Sequence, residues 1–153
     1  MSRYARTLRI GAPAAEVWSA LVDVESWPAW ASQFRRLERL DGGPLAPSSR
    51  VRIRPTGMPA AIWHVTEYEE GRSFTWASSL SPGVLITGGH VVTTVGNGTD
   101  AEFWLEASGP LGTLLAPLLR RTVFSRNTRS ATEGLKRYVE GRGPASETNV
   151  TVD

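Results

Sequence analysis

The chain contains no cysteine. Disulfide frameworks, thiolate nucleophiles and cysteine-held metals are therefore excluded. Histidine is nearly as scarce, with only His64 and His90. Two imidazoles without His-x-x-x-His spacing offer a metal too few ligands, so neither metal nor cofactor is expected. There is no Gly-x-Ser-x-Gly elbow, and Gly42-Gly43 and Gly88-Gly89 lack the flanks of a phosphate loop. A fast hydrolase and a nucleotide enzyme are thereby disfavoured. No apolar run approaches the ~18 residues that span a bilayer, and none of the signal-peptide kind follows Met1. The expectation is a cytoplasmic chain without stable membrane insertion. Repeats are absent.

Charge of one sign is also in short supply. Seventeen basic residues face fifteen acidic ones, a net of +2. That surplus is too small to indicate nucleic acid as a partner. It is unevenly placed, however. From Pro110 to Arg142 there are seven basic residues and two acidic ones. Two readings fit: a solvated outer face of a helix, or a patch for an anionic partner.

What the chain has in excess is tryptophan: Trp18, Trp27, Trp30, Trp63, Trp76 and Trp104 in 153 residues. Ordinary cores are filled mainly by Leu, Val and Ile. Many large flat rings in one small domain indicate a heavily packed core or an aromatic-lined cavity. The length suits a single domain, placed here at residues 1–142, with a loose polar tail at 143–153.

The pattern predicts a strand from Arg3 to Ile10, with Tyr4, Arg6, Leu8 and Ile10 on one face. Gly11-Ala12-Pro13 opens a helix whose apolar face is Val17, Trp18 and Leu21. A second short helical piece, Asp23 to Trp30, is kept brief by Pro28. Strands follow at Phe34–Leu40, Arg50–Arg54, Ala61–Glu69, Arg72–Ser78, Val84–Val95 and Ala101–Ser108, separated by Gly/Pro/Asn turns that include Thr56–Pro59. Gly88-Gly89 predicts a bulge or bend in the long strand, and Gly96-Asn97-Gly98 a hairpin turn. Trp104 shares a face with Glu102 and Glu106 and is placed outside. The last element, Gly109 to Glu140, is a helix of roughly 30 residues, broken early by Pro117. Counted back from Tyr138, its inner stripe is Leu135, Ala131, Asn127/Thr128, Phe124, Arg121, Pro117/Leu118 and Leu114.

This order of elements, with Ile10-Gly-Ala-Pro13, Val17-Trp18, Trp27-Pro28-Ala29-Trp30, Val65-Thr-Glu-Tyr-Glu69, Phe74-Thr-Trp76, His90, Gly98-Thr99, Gly109-Pro110-Leu111 and Glu133-Gly-Leu-Lys136, resembles the START-like (SRPBCC) superfamily and its polyketide cyclase/dehydrase-like branch. The resemblance covers about residues 3 to 141. It implies an α+β helix-grip fold: a curved seven-stranded antiparallel sheet around a long C-terminal helix, with two short helices between the first two strands. It also implies a deep apolar cavity between sheet and helix. The function expected from it is binding of a small hydrophobic molecule that is lipid-, polyketide- or aromatic-like. The alternatives are a polyketide cyclase, aromatase or dehydratase working by acid/base catalysis in that cavity, and an interaction or chaperone-like module using the basic helix face. The oligomer expected is a monomer or homodimer.

The candidate ligand contacts are Trp27, Trp30, Phe34, Trp63, Phe74, Trp76, His90, Phe103, Phe124 and Asn127. Core packing and cavity lining both account for the rings. Trp27 and Trp30 are placed at the cavity mouth, as a gate or as a cap on the core. His90 shares its parity with Gly88 and Val92 and is the leading proton carrier if chemistry occurs, since imidazole titrates near neutrality. Asn127 and Arg121 lie on the inner stripe, Asn127 to be satisfied by ligand or water and Arg121 reaching out past the helix end.

Overall fold

In the computed structural model, residues 3–56 and 59–152 are described, with side chains through residue 141. Gly57 and Met58, part of the turn expected at Thr56–Pro59, lie outside them. Seven strands form one antiparallel sheet: β1 (Arg3–Ile10), β2 (Phe34–Arg39), β3 (Arg50–Pro55), β4 (Ala61–Glu69), β5 (Ser73–Ser81), β6 (Val84–Val95) and β7 (Gly98–Ser108). Their order is β1-β7-β6-β5-β4-β3-β2, so β2 to β7 meander and β1 closes onto β7. Helix α1 (Ala14–Val22) and a 3-10 turn (Val24–Ala29) sit between β1 and β2. The C-terminal helix comprises α2 (Pro110–Leu119), a π-helical turn (Arg120–Phe124) and α3 (Ser125–Val152). This is the helix-grip architecture that the resemblance implies.

Pleat explains why these residues form strands. On β1, Tyr4, Arg6, Leu8 and Ile10 are the less exposed set, and on β7 Ala101, Phe103 and Ala107 are buried. The inward Arg6 is satisfied by α3, donating to Thr132 Oγ1 at 3.2 Å and to Glu133 at 3.1 Å. Trp104 lies on the outer face, where the Arg3 guanidinium stacks on its ring at 3.7 Å.

Two local expectations are corrected. Register runs unbroken through Gly88 and Gly89, so there is no bulge there. The pair instead makes room for rings: a Cβ on Gly89 would stand 2.1 Å from Trp104 outside, and one on Gly88 3.3 Å from the Trp76 indole nitrogen inside. The irregularities fall between Phe34 and Arg36, Val65 and Glu67, and Ser79 and Ser81. The hairpin turn lies at Gly96-Asn97-Gly98 as expected, with Gly96 and Asn97 as its central pair, because Val95 pairs with Gly98 and Gly96 takes φ +58°. Finally, the helix backbone continues past Gly141, near which periodicity ends it, to Val152. Glycine lowers helix propensity by about 1 kcal/mol without forbidding the conformation.

The break near Pro117 takes the form of the π-turn, and this shifts the buried stripe. From Phe124 onward the buried residues are Phe124, Thr128, Ala131, Thr132, Gly134, Leu135 and Val139. Thr128, not Asn127, takes the inner position, and Tyr138 is at the edge. A π-turn holds one residue more than an α-turn. Above it, therefore, the buried row slips to Ala116 and Gly112. Leu114 and Leu118, which straight periodicity places inside, are 72% and 61% exposed. Arg121 is exposed as well.

Helices cover the sheet unequally. Helix α2 lies on β6 and β7, α3 on β1 and β7, α1 on β6 and β7, and the 3-10 turn on β2. Side chains of α1 and of the 3-10 turn also reach β4 and β5: Trp18 meets Tyr68 and Phe74 edge-on, and Trp27 meets Trp76.

Candidate functional site

The interior is organised by cross-strand rows. Register sets His90 between Phe74 of β5 and Phe103 of β7. Side chains directly opposite on one face stand in contact. His90 stacks on Phe74 at 4.3 Å and meets Phe103 edge-on at 4.9 Å. The next row is Trp76, Gly88 and Leu105, in which Trp76 leans across the missing side chain of Gly88.

Trp27 descends into this box from the 3-10 turn. Its ring contacts Trp30, Phe34, Trp76, His90 and Phe103 at centroid distances of 5.2 to 6.1 Å. Its indole N–H donates to the Leu21 carbonyl oxygen at 2.9 Å. Trp63 on β4 reaches Trp76 at 6.0 Å and remains half-buried. Eight of the ten sequence candidates thus form one continuous network: Trp27, Trp30, Phe34, Trp63, Phe74, Trp76, His90 and Phe103.

Two candidates fall elsewhere. Phe124 belongs to a second cluster with Val84, Ile86, Ala107 and Ala116. Asn127 is half-buried at the rim. Trp27 is 1% exposed and stands at the centre of the network, not at a mouth. Trp30 is 6% exposed, and its indole nitrogen is buried with no hydrogen-bond partner among the described residues.

The space in which the resemblance implies a deep cavity is therefore occupied by rings in mutual contact. Flat side chains of this size, packed at van der Waals separation, leave no slot between them for a guest. The hollows that stand out among the described residues are shallow. One, of about 400 Å³, lies at the β6–β7 turn beside Ile10 and Gly11, and the other, of about 340 Å³, beside Trp30 and Tyr138.

Electrostatics follow from burial. Desolvation lowers the His90 pKa to about 3, against a small opposing effect from its hydrogen bond to Phe74. The ring is neutral at ordinary pH. Its Nδ1 is 3.1 Å from the Phe74 carbonyl oxygen, which can only accept. Nδ1 therefore carries the hydrogen and donates it, leaving Nε2 with a lone pair. His64 is exposed on the outer side of β4. Among the described residues, no three His, Asp or Glu side chains converge as a metal site would require.

Periodicity gave no signal for several residues that tie the strands to the helices. Gln33 bridges the β2 approach to α3: its Nε2 donates to the Asn127 carbonyl oxygen at 3.1 Å, and its Oε1 accepts from Ser130 Oγ at 2.8 Å. Glu70 accepts from the Tyr68 hydroxyl at 2.5 Å and from the Trp18 indole at 3.3 Å. Burial, with help from the Glu70 hydrogen bond, pushes the Tyr68 phenol up to about 12.

Solved structures with this arrangement are numerous, and they share the fold at low identity. An aromatase/cyclase, Zhui, from Streptomyces sp. R1128 is 18% identical, with 92% of this chain and 94% of that one covered and a TM-score of 0.69. The di-domain ARO/CYC BexL from the BE-7585A biosynthetic pathway is 21% identical over 93% of this chain, with a TM-score of 0.73; the match spans 47% of BexL. A protein from Thermobifida fusca is 16% identical, with 93% and 95% covered and a TM-score of 0.75. No functionally curated protein is significantly similar in sequence. Among the described residues, no helix is long and apolar enough to cross a membrane. The family described as polyketide cyclase / dehydrase and lipid transport matches residues 1–140, and the chain belongs to it.

Proposed function

We propose that the chain binds a flat, largely apolar molecule, lipid-, polyketide- or aromatic-like, between the β3–β5 part of the sheet and the C-terminal helix. One observation carries this reading. Trp63 on β4 is half-buried, and it packs against both hydrophobic clusters. It is therefore a seam at which the two clusters meet. A guest ring admitted there stacks on Trp63 and Trp76, with the Gln33 bridge to α3 at the edge of the opening. Aromatic stacking of this kind contributes about 0.5–1.5 kcal/mol per pair beyond area burial.

A cyclase or aromatase reading uses the same interior, and the likeness to named aromatase/cyclases supports considering it. His90 is then the residue facing the guest. With a pKa near 3 it is a weak base, better suited to accept a hydrogen bond at Nε2 than to remove a proton at neutral pH. Binding therefore stands ahead of catalysis.

The test is titration of intrinsic tryptophan fluorescence with 1-anilinonaphthalene-8-sulfonate, together with native mass spectrometry of freshly purified protein. The expected result is saturable quenching that is insensitive to salt and is weakened by Trp63→Ala. No quenching, with a native mass equal to that of the bare chain, removes the reading. Unchanged turnover in a His90→Phe variant, with a polyketide-like substrate in hand, removes His90 as a catalyst.

A further inference from the structure

Helix α2 turns four of its five leucines away from the protein, while Leu119 is half-buried against the second cluster. Its sheet-facing residues are the small ones, Gly112 and Ala116. Leu111, Leu114, Leu115 and Leu118 are 46, 72, 38 and 61% exposed. At helical spacing these four occupy one stripe about 100° wide. Packing against the sheet alone favours the opposite arrangement, leucines inward and small residues outward. The one-residue slip at the π-turn produces the inversion. Leu80 and Leu85, 46 and 40% exposed, flank the β5–β6 turn at the same end. That turn is tied to α2 through the Leu111 and Gly112 N–H groups, which donate to the Gly83 carbonyl oxygen at 3.0 and 2.9 Å.

Charge supplies the second observation. No acidic residue occurs from Ala107 to Thr132, whereas Arg120, Arg121, Arg126 and Arg129 are all present and exposed. Among the described residues, none of these four arginines has a carboxylate partner. Arg3, Arg6, Arg9, Arg50, Arg52 and Arg72 each have one.

We propose that the α2 leucine stripe and the arginines that follow it form a peripheral docking surface for an anionic lipid bilayer. The leucines enter the boundary between headgroups and acyl chains, and the guanidinium groups bind lipid phosphates. A second copy of the chain answers this surface poorly. A two-fold interface sets the same patch against itself, and here it opposes arginine to arginine with no carboxylate in the segment. Lipid phosphates satisfy the charge, and acyl chains cover the leucines. The proposal is independent of what the interior holds, because every residue it uses is on the outside.

Sedimentation with phosphatidylcholine vesicles, with and without an equal part of phosphatidylglycerol, tests it without any added guest. The wild-type chain is expected to pellet with anionic vesicles and to remain in solution with neutral ones. Sodium chloride at about 0.5 M, where the Debye length falls to about 4 Å, releases it. Replacing Arg121 and Arg126, the arginines nearest the leucine stripe, by Gln weakens partitioning about fivefold for each charge removed. Leu114→Ser with Leu118→Ser lowers partitioning by about tenfold or more, with an unchanged melting curve as the control for folding. Wild-type protein that stays in solution with anionic vesicles overturns the proposal, as does a leucine variant that pellets like wild type. A leucine-dependent dimer in analytical ultracentrifugation, without vesicle binding, also overturns it and assigns the surface to a second copy.

Discussion

His90 shows how much a neighbourhood changes a side chain. Free imidazole titrates near 6.5, but among Trp27, Phe74, Trp76 and Phe103 the charged form loses its water and the pKa falls to about 3. The folded pKa lies below the unfolded one, so the unfolded chain binds more protons between these values. This contribution to stability is complete above about pH 6.5 and is lost as pH falls toward 3. Chemical denaturation at pH 7 and at pH 5 is expected to show a clear loss for the wild type. A His90→Phe variant, which keeps a ring in the box and cannot titrate, loses distinctly less over the same interval. Equal losses would mean that His90 is not desolvated. Gly134 gives a second test. A Cβ there would stand 1.7 Å from the Trp30 carbonyl oxygen, whereas a Cβ at Gly141 meets nothing within 4 Å. Gly134→Ala should destabilise by about 1–3 kcal/mol through overpacking. Gly141→Ala should be neutral or stabilise by up to about 1 kcal/mol through helix propensity. Thermal melts of the pair separate packing from propensity.

Among elements, the C-terminal helix does two jobs with its two halves. The α3 half holds the fold together. Lys136 donates to the Arg9 carbonyl oxygen at 2.8 Å and to Glu140 at 2.6 Å, and Glu140 accepts from the Gly11 N–H at 2.7 Å. These bonds hold the Glu140 carboxyl below its ordinary range, Lys136 foremost. The α2 half is set by the π-turn and turns four of its five leucines outward. Between the halves, Gln33 is the tie from the strand side. Its two hydrogen bonds to α3 are part-buried, so Gln33→Ala should cost about 1–2 kcal/mol in denaturant titrations. If the seam at Trp63 is the entrance, the same variant should speed association of the fluorescent probe. A variant as stable as wild type would show that the bridge holds nothing. The π-turn also explains why periodicity misplaced α2. An amphipathic count assumes a constant angle per residue, and one additional residue moves every position beyond it by a quarter turn or more.

For the whole molecule, stability rests on the aromatic interior and not on the surface charges. The seven ion pairs recorded among the described residues join side chains that are mostly a third or more exposed. Exposed pairs of this kind contribute little, typically about 0–1 kcal/mol each, and are screened by salt. Adding sodium chloride to about 0.5 M should therefore move the denaturation free energy by no more than about 1–2 kcal/mol. A collapse of stability in salt would show that the charge network matters more than the core.

Local chemistry was enough to locate every strand to within a few residues, because alternation, turn glycines and prolines act over two to four residues and need no partner. The same signals set the inner faces of β1, β5 and β7, and hence the rings that meet around His90. Three things were beyond their reach. Whether the rings would line a hollow or close on one another depends on how strands β4 to β7 and the 3-10 turn approach, a distance no single segment specifies. Gly88 and Gly89 read as a flaw in a strand, and became clearances only once Trp76 and Trp104 lay over them from elements far away in the chain. The exposure of the α2 leucines follows from a turn geometry chosen by the helix as a whole against the sheet. The chain's own order of residues determined which elements exist and which way their side chains alternate. The tertiary structure decided what lies between them, because separation and phase belong to pairs of elements and not to either member.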